Sequence, residues 1–295
     1  MALDTATAAP SSPAAPDASA EPREPYFARL DRAARQNQSL LCVGLDVEPD
    51  RLPAPLRDLP LSDAIVEFNR RIVEATADLV ACYKPNLAFY EALGPQGLEA
   101  LRRTRALIPA HIPVIGDAKR GDIDNTMRKY AQALFDVYDF DAVTASPYLG
   151  QDAIAPFLSR TERGVYLLCR TSNPGSGEIA DLDVGGRPLY LVIAERVQAW
   201  NSNHNAALVV GATYPQELAR VRQVAPELPI LLPGVGAQQG LLEESVQAGI
   251  DRQGGGLVVN AARQVLYASS GDDFPMAARQ AALELRGRIN RARGA

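Results

Sequence analysis

Histidine and cysteine are scarce in this chain of 295 residues, which has two histidines and three cysteines. His111 precedes an apolar run and His204 lies in a polar turn. This scarcity argues strongly against a catalytic triad built on histidine and against a zinc site with several histidines. Cys42, Cys82 and Cys169 are far apart, and each lies inside an apolar run. We therefore expect buried, reduced thiols and a reducing compartment, the cytoplasm.

Long hydrophobic runs and an excess of positive charge are also missing. No apolar stretch reaches the roughly 18 residues that a membrane-spanning helix needs. The net charge is -5 and the isoelectric point is near 5.2, so the chain has no basic surface of the kind that binds nucleic acid. We expect a soluble protein with neither a membrane nor a nucleic-acid partner.

Hydrophobic content is ample, at 47%, and it is arranged as short apolar runs separated by helical patterns. Residues 1–25 are rich in Ala, Pro and Ser and predict a disordered tail. The remaining residues, 26–295, predict one domain. The predicted helices are 27–36, 63–78, 94–108, 125–137, 188–201, 215–225 and 238–248. The predicted strands are 40–45, 79–84, 112–117, 140–145, 164–170, 206–211, 229–232 and 256–260.

Near-continuous apolar strands that alternate with helices are typical of a parallel sheet covered by helices. The number of strands and a domain length close to the usual ~250 residues favour an α/β fold of the closed type, a (β/α)8 TIM barrel. An open, doubly wound sheet is the lesser alternative. The segment 171–187 has the Gly, Ser and Pro content of a mobile loop and could close over a ligand.

Charged residues follow several of the predicted strands. Asp117, Lys119 and Asp122 come directly after one strand, while Lys84 and Asp46 end two others. At strand spacing, Asp117 and Lys119 point to the same side. A structural salt-bridge cluster is one interpretation, but desolvation offsets much of the attraction within a buried ion pair. The pattern therefore favours a catalytic site.

A phosphate site is predicted at the ends of the last two strands. The glycine-rich segment 233–240 lets backbone N–H groups approach an anion, and Arg263 follows the last strand. Loops after the seventh and eighth strands are the usual phosphate site of a (β/α)8 barrel.

The motif Asp117-Ala118-Lys119-Arg120-Gly121-Asp122-Ile123 resembles the signature of the orotidine 5'-phosphate decarboxylase family, and further segments are similar to family segments in the same order. The resemblance extends from about residue 26 to residue 290 and is to the longer bacterial subgroup (type 2). The similar segments are Leu41–Asp46, Tyr83–Glu91, Ser146–Gly150, Thr171–Gly175 and Pro233–Gln238.

The resemblance implies an alternating catalytic array of Lys84, Asp117, Lys119 and Asp122. It implies that Lys119 stabilises negative charge at C6 and then protonates that carbon. It also implies a homodimer in which Asp122 reaches into the neighbouring subunit's site. The implied reaction converts orotidine 5'-phosphate to uridine 5'-phosphate and CO2, the last step of de novo UMP biosynthesis, without metal or organic cofactor.

The resemblance implies substrate-binding roles as well. Asp46 matches the residue that binds the ribose hydroxyls, Ser172 the residue that reads the pyrimidine amide edge, Gln238 the bridge between pyrimidine and phosphate, and Arg263 the phosphate anchor. The other implied substrate-binding residues are Asn86 and Pro174 and, completing the site across the dimer, Ile123 and Thr126.

Two other functions are compatible with parts of the pattern. The 3-keto-gulonate 6-phosphate decarboxylases share a similar Asp-x-Lys-x-x-Asp motif but use a magnesium ion, and Lys84 would place a cation beside the carboxylates that such an ion needs. A non-catalytic sensor of a phosphorylated ligand is expected to have lost Lys119 or a neighbouring charge, and all four charges are present.

Overall fold

The computed structural model describes residues 23–235 and 241–294, and in these ranges it contains one sheet of eight parallel strands. The order of neighbours in the sheet is β2-β1-β8-β7-β6-β5-β4-β3. The strands are β1 (Leu41–Gly44), β2 (Cys82–Lys84), β3 (Ile115–Arg120), β4 (Ala142–Ala145), β5 (Gly164–Arg170), β6 (Ala206–Val210), β7 (Ile230–Pro233) and β8 (Leu257–Ala261).

The sheet closes on itself between its two edge strands, β2 and β3. Parallel bridges join Tyr83 to Val114 and Asn86 to Asp117. The Asp117 amide donates to the Pro85 carbonyl at 3.0 Å. The prediction of a (β/α)8 barrel is therefore confirmed, and the open-sheet alternative is wrong.

Helices follow the strands and cover the outside of the barrel. They are α1 (Tyr26–Gln36), α2 (Leu61–Thr76), α3 (Leu87–Glu91), α4 (Gly94–Leu107), α5 (Asp124–Ala131), α6 (Gln151–Leu158), α7 (Gly177–Ala180), α8 (Leu189–Trp200), α9 (Pro215–Val224), α10 (Leu241–Gly249), α11 (Arg263–Leu266) and α12 (Phe274–Arg293). A π-helical stretch, Gln132–Val137, continues α5, and 3-10 turns lie at Pro49–Arg51, Ala54–Leu56 and Pro174–Ser176.

Two layers of apolar side chains hold the barrel together. Alternate strand residues such as Leu41 and Val43 pack outward against the helices, in the larger core cluster. The residue between them, Cys42, belongs to a second cluster with Cys82 and Tyr166 in the barrel interior. This alternation follows from the two-residue period of a strand. All three cysteines are free and buried, as predicted.

Helix α1 covers the end of the barrel where the strands begin. The Tyr26 ring enters the interior cluster, and its hydroxyl lies 3.1 Å from that of Tyr166. A Cβ built on Gly164 would lie 2.3 Å from the Tyr26 ring, so the close packing here requires glycine. With this end covered, the opposite end of the barrel, where the strands finish, is left for the predicted site.

The predicted N-terminal tail, residues 1–25, lies outside the described residues as far as residue 22. Arg23, at the start of the described chain, forms ion pairs with Asp139 (2.7 Å) and Asp141 (2.6 Å). In the described part of the chain, no helix has the length and apolar character needed to cross a membrane.

Candidate active site

Three of the predicted catalytic residues meet at the carboxyl ends of β2 and β3. The Asp117 carboxylate accepts a hydrogen bond from Lys84 Nζ on Oδ2 at 2.7 Å and from Lys119 Nζ on Oδ1 at 2.5 Å. Asp117 and Lys119 both lie within β3, because this strand runs to Arg120, three residues beyond the predicted end at residue 117. The result is a Lys84–Asp117–Lys119 array in which one carboxylate is shared by two ammonium groups.

The two lysines of this array differ in their exposure. The Lys84 side chain is 4% exposed, the Asp117 side chain 8% and the Lys119 side chain 48%. Lys84 is therefore sealed beneath the carboxylate, while Lys119 stays accessible at the barrel mouth. Of the two, only Lys119 is accessible to a small molecule arriving from solvent.

Mutual electrostatics keep Lys84 and Asp117 charged. Burial disfavours both charged forms. For Lys84, the carboxylates of Asp117 and Asp46 outweigh burial and raise the pKa of the amine above its ordinary value. For Asp117, the ammonium groups of Lys84 and Lys119 outweigh burial and hold the pKa of the carboxyl well below its usual range. The two buried groups are therefore an ion pair at neutral pH.

Lys119 has an unusual backbone conformation. Its φ is +47°, in the left-handed region, which costs a non-glycine residue about 1–3 kcal/mol. The β3–β4 pairing is irregular here, because Gly116 pairs with Val143 but the next pair is Arg120 with Ala145. Four steps along β3 thus correspond to two along β4. Such strand irregularities often aim a side chain into an active site.

Thr144, on β4, is a contact of the array that the sequence did not indicate. Its hydroxyl donates to Asp117 Oδ1 at 2.8 Å and accepts a hydrogen bond from the Lys119 backbone N–H at 2.9 Å. Thr144 is 1% exposed. A threonine inside an apolar strand is common, so only the register of β3 against β4 could have revealed this contact.

Asp46 lies beside the array, just after β1. Its Oδ1 accepts a hydrogen bond from the Asn86 backbone N–H at 3.2 Å. Burial raises the pKa of the Asp46 carboxyl, and the charge of Lys84 offsets part of that effect. The Asn86 side chain caps α3 by accepting from the Ala88 N–H at 3.2 Å. Asp46 and Asn86, both predicted substrate ligands, are therefore placed next to the Lys84–Asp117–Lys119 array.

A cavity of about 550 Å³ opens beside Asp46 and contains the predicted phosphate anchor. Arg263, exposed at the start of α11, lines it together with Arg51, Asn260 and Gln264. Two guanidinium groups thus line one cavity. A second cavity, of about 590 Å³, lies at the opposite end of the barrel beside α1 and includes none of the predicted site residues.

Arg51 was not predicted, because nothing in its sequence context distinguishes it from a solvated surface arginine. Its guanidinium carbon lies 3.8 Å from the centre of the Tyr267 ring. The Tyr267 hydroxyl accepts a hydrogen bond from the Glu48 N–H at 2.6 Å. Stacking on an aromatic face orients the guanidinium of Arg51.

Ser172 lies on the other side of the barrel mouth, after β5. A Cβ built on Gly211 would lie 2.7 Å from the Ser172 Cβ, and one built on Gly234 3.3 Å from it. Gly234 also has a φ of +95°, which a residue with a Cβ rarely adopts. These glycines bring the chain after β6 and β7 close to Ser172. Pro174 is exposed and begins the 3-10 turn that follows.

The predicted mobile loop, 171–187, contains secondary structure and is held by contacts with Arg170. It contains α7 and an antiparallel bridge between Asp183 and Pro188. Arg170, 3% exposed at the end of β5, hydrogen-bonds to Ser176 Oγ and pairs with Asp181 at 3.2 Å. Gln238, the predicted bridge to the phosphate, lies outside the described residues, as do all of 236–240.

Asp122, Ile123 and Thr126 are not brought to the array within this protomer. The Asp122 carboxylate accepts from the Ile123 backbone N–H at 2.7 Å. Ile123 is 59% exposed, and Thr126 is exposed in the first turn of α5. Ile123 and Thr126 therefore face outward from the protomer, and Asp122 is half-buried beside them.

Known proteins of one family match nearly the whole length of this chain. Residues 39–273 match the model of a family described as "Orotidine 5'-phosphate decarboxylase / HUMPS family". The chain is 54% identical over 268 residues to a protein of Thermomicrobium roseum named orotidine 5'-phosphate decarboxylase, covering 90% of this chain and 95% of the relative. A protein of Cellvibrio japonicus with the same name is 47% identical over 91% of this chain and 99% of its own length.

A solved structure described as Leishmania donovani OMP decarboxylase superimposes on this chain with a TM-score of 0.81. It is 42% identical, and the match covers 92% of this chain and 99% of that one. Fold and sequence thus agree, and the chain belongs to the orotidine 5'-phosphate decarboxylase / HUMPS family.

Proposed function

We propose that the protein converts orotidine 5'-phosphate to uridine 5'-phosphate and CO2, the last step of de novo UMP biosynthesis, in the cytoplasm and without metal or organic cofactor. The observation that carries the proposal is the Lys84–Asp117–Lys119 array at the barrel mouth. The names and high identities of the bacterial relatives support the same reaction.

The chemistry requires a fixed positive charge. Loss of CO2 from C6 leaves an electron pair in an sp2 orbital that the pyrimidine ring does not delocalise. A preorganised ammonium group beside C6 stabilises that developing charge strongly in a site that excludes water. Lys119 is the accessible ammonium of the array, and it can then deliver its proton to C6. This accounts for the proposed reaction without an electron sink from a cofactor.

Lys84 and Asp117 support this role of Lys119. Asp117 binds the Lys119 ammonium at 2.5 Å, which limits the positions that the flexible side chain can take. Lys84, on the buried side of Asp117, neutralises part of the charge on that carboxylate. The carboxylate therefore holds Lys119 in place while the three side chains of the array together keep a net positive charge.

Substrate contacts follow from the arrangement around the array. Asp46 and Asn86 lie next to it and would bind the ribose. The cavity lined by Arg263 would hold the phosphate, with Gln238 bridging phosphate and pyrimidine, and Ser172 and Pro174 would contact the pyrimidine. Phosphate contacts far from the reacting carbon can supply binding energy that organises the site.

The proposed assembly is a homodimer. Ile123 and Thr126 are exposed and Asp122 is half-buried next to them, and each would complete the site of the neighbouring subunit. An exposed isoleucine next to a half-buried aspartate is well suited to a contact between two copies of this chain.

A metal-assisted reaction on the same barrel is the competing function. Magnesium prefers free carboxylate oxygens, but Lys84 occupies Oδ2 of Asp117 and Lys119 occupies Oδ1. This arrangement favours decarboxylation driven by the ammonium group.

The test is the conversion of orotidine 5'-phosphate by purified protein, followed as CO2 release and formation of uridine 5'-phosphate. We expect full activity with a chelator present and near-complete loss in Lys119→Ala. Lys129→Ala is the matched control, because Lys129 is an exposed lysine on α5 that contacts Gln132 at 3.2 Å. No turnover by folded wild-type protein, or activity that requires added magnesium, would refute the proposal.

A further inference from the structure

Residues 117–119 lie where the β3–β4 ladder is interrupted. Gly116 pairs with Val143 and Arg120 pairs with Ala145, so no residue of β4 is paired with 117, 118 or 119. The backbone of Lys119 therefore lacks the regular ladder partner that would hold its conformation. A left-handed φ at a lysine persists only where surrounding contacts impose it.

One hydroxyl group supplies those contacts. Thr144 Oγ1 accepts from the Lys119 backbone N–H at 2.9 Å and donates its own proton to Asp117 Oδ1 at 2.8 Å. A hydroxyl is one of the few groups that can accept and donate at once. Because Thr144 is 1% exposed, water does not compete for either bond.

The two bonds act on both ends of the Lys119 side chain. The bond to the backbone N–H fixes the point from which the side chain starts. The bond to Asp117 fixes the carboxylate that holds the ammonium group at its tip. A lysine side chain has four rotatable bonds, and fixing both ends removes most of its freedom.

We propose that Thr144 is a positioning residue for the reaction, which holds the Lys119 ammonium group in register with the reacting carbon. This inference rests on the proposed function. Thr144 itself touches neither substrate nor reacting atoms, so its effect is expected in kcat and not in ground-state binding. A misplacement of about 1 Å in a catalytic group can cost about a hundredfold in rate.

The experiment compares Thr144→Val, which keeps the shape and removes the hydroxyl, with Thr144→Ser, which keeps the hydroxyl. We expect Thr144→Val to lower kcat by about tenfold or more, with little change in KM or in the affinity for uridine 5'-phosphate. Thr144→Ser is expected to retain kcat within about threefold, since both hydrogen bonds can still form.

Thr104→Val is the matched control. Thr104 is fully buried, as Thr144 is, but lies on α4, where it accepts from Asn69 at 2.9 Å. Its loss is expected to lower thermal stability and leave kcat unchanged. Wild-type kcat in Thr144→Val, or equal losses in the Val and Ser variants, would overturn the inference.

A crystal structure of Thr144→Val gives a readout that does not depend on activity. The Lys119 φ is expected to leave the left-handed region, or its Nζ to separate from Asp117. An unchanged Lys119 overturns the inference even if the protein decarboxylates orotidine 5'-phosphate. An inactive wild-type protein together with a displaced Lys119 in the variant contradicts the proposed function and supports the role of Thr144.

Discussion

The residue on which the site depends most is Asp117, because a single carboxylate accepts three donors. Lys84 binds one oxygen, and Lys119 and Thr144 bind the other. An unpaired charge left in such a buried position is more destabilising than the pair is stabilising. Both activity and stability are therefore expected to respond to this side chain.

Asp117→Asn is expected to lower the free energy of unfolding near pH 7 by about 3 kcal/mol, because it leaves the Lys84 ammonium buried without its closest counter-charge. Chemical denaturation of both proteins across pH measures the difference. Equal stability at pH 7 would show that Asp46 alone is enough to compensate Lys84.

The pKa shifts of Asp117 and Lys84 predict how the stability difference between wild type and Asp117→Asn changes with pH. The pKa of Asp117 is lowered by folding, so its contribution is present above the unfolded value of about 3.9 and is lost as pH falls through the folded value. The pKa of Lys84 is raised, so its contribution is present below about 10.4 and is lost as pH rises through its folded value. The difference in free energy of unfolding between wild type and Asp117→Asn should therefore become smaller only at strongly acidic and strongly alkaline pH.

The two guanidinium groups of the phosphate cavity are expected to act mainly on KM. A hydrogen bond to a charged group is worth about 1.5–3 kcal/mol. Arg263→Ala should therefore raise KM about ten- to hundredfold. Arg51→Ala should raise KM about three- to tenfold, because Arg51 also pairs with Glu48 at 3.3 Å, which offsets part of its positive charge. Steady-state kinetics with orotidine 5'-phosphate measures both effects.

Arg196→Ala, at an exposed position on α8, is the control for removal of a positive charge. Orotidine, which lacks the phosphate, should be turned over equally by wild type and Arg51→Ala. A loss of equal size with orotidine would mean that Arg51 acts on the site by a route other than the phosphate.

Among the elements, the strands were the easiest to predict and the terminal helix the hardest. Apolar runs of four to seven residues correspond to all eight strands, because a buried parallel strand is apolar on both faces. β3 was displaced by three residues, since its last residues, Asp117–Arg120, carry the charges of the barrel mouth. Hydrophobicity alone ends that strand too early.

Two helices of eight residues or more, α6 and α12, were missed for different reasons. α6 contains Pro156, which normally argues against a helix interior. α12 is 20 residues long, and its five buried residues follow the three- and four-residue steps of a helix, but two of them are alanines and arginines lie between them, so the apolar pattern is weak. Its position depends on packing against other elements, which is not visible in its own sequence.

Helix α12 is expected to be held mainly by its first residue, Phe274. This ring stacks on Phe68 of α2 with 5.1 Å between centroids, and it is 1% exposed. Phe274→Ala should lower the free energy of unfolding by about 3–5 kcal/mol. Met276 lies on the same helix but is 72% exposed, and it supplies the control. Met276→Ala should change the free energy of unfolding by less than about 0.5 kcal/mol. Thermal or urea unfolding distinguishes the two.

At the scale of the whole molecule, the barrel could be predicted from the sequence, but some of the contacts that complete the site could not. Lys84, Asp117 and Lys119 come together because strand ends meet at one rim. Contacts that depend on strand register or on a second protomer leave no trace in one sequence. For that reason Thr144 was missed, and the role of Asp122 rests on resemblance and on the exposure of its neighbours Ile123 and Thr126.

The proposed dimer makes a quantitative prediction for mixed subunits. Asp122→Ala and Lys119→Ala should each be nearly inactive, yet an equal mixture, unfolded and refolded together, should recover about a quarter of wild-type activity. Half of the dimers would be mixed, and each would contain one intact site built from Lys119 of one chain and Asp122 of the other. Activity of the mixture no greater than the sum of the separate variants would place Asp122 outside a shared site.

The burial of Lys84 beneath Asp117 also makes amine reactivity a measure of site occupancy. The sequence contains three lysines, Lys84, Lys119 and Lys129, and only Lys84 is buried. Acylating reagents should therefore modify Lys119 and Lys129 in the free enzyme, and a nucleotide bound over the barrel mouth should protect Lys119 alone. With so few side-chain amines, mass spectrometry of one tryptic digest could follow ligand binding directly, without a turnover assay.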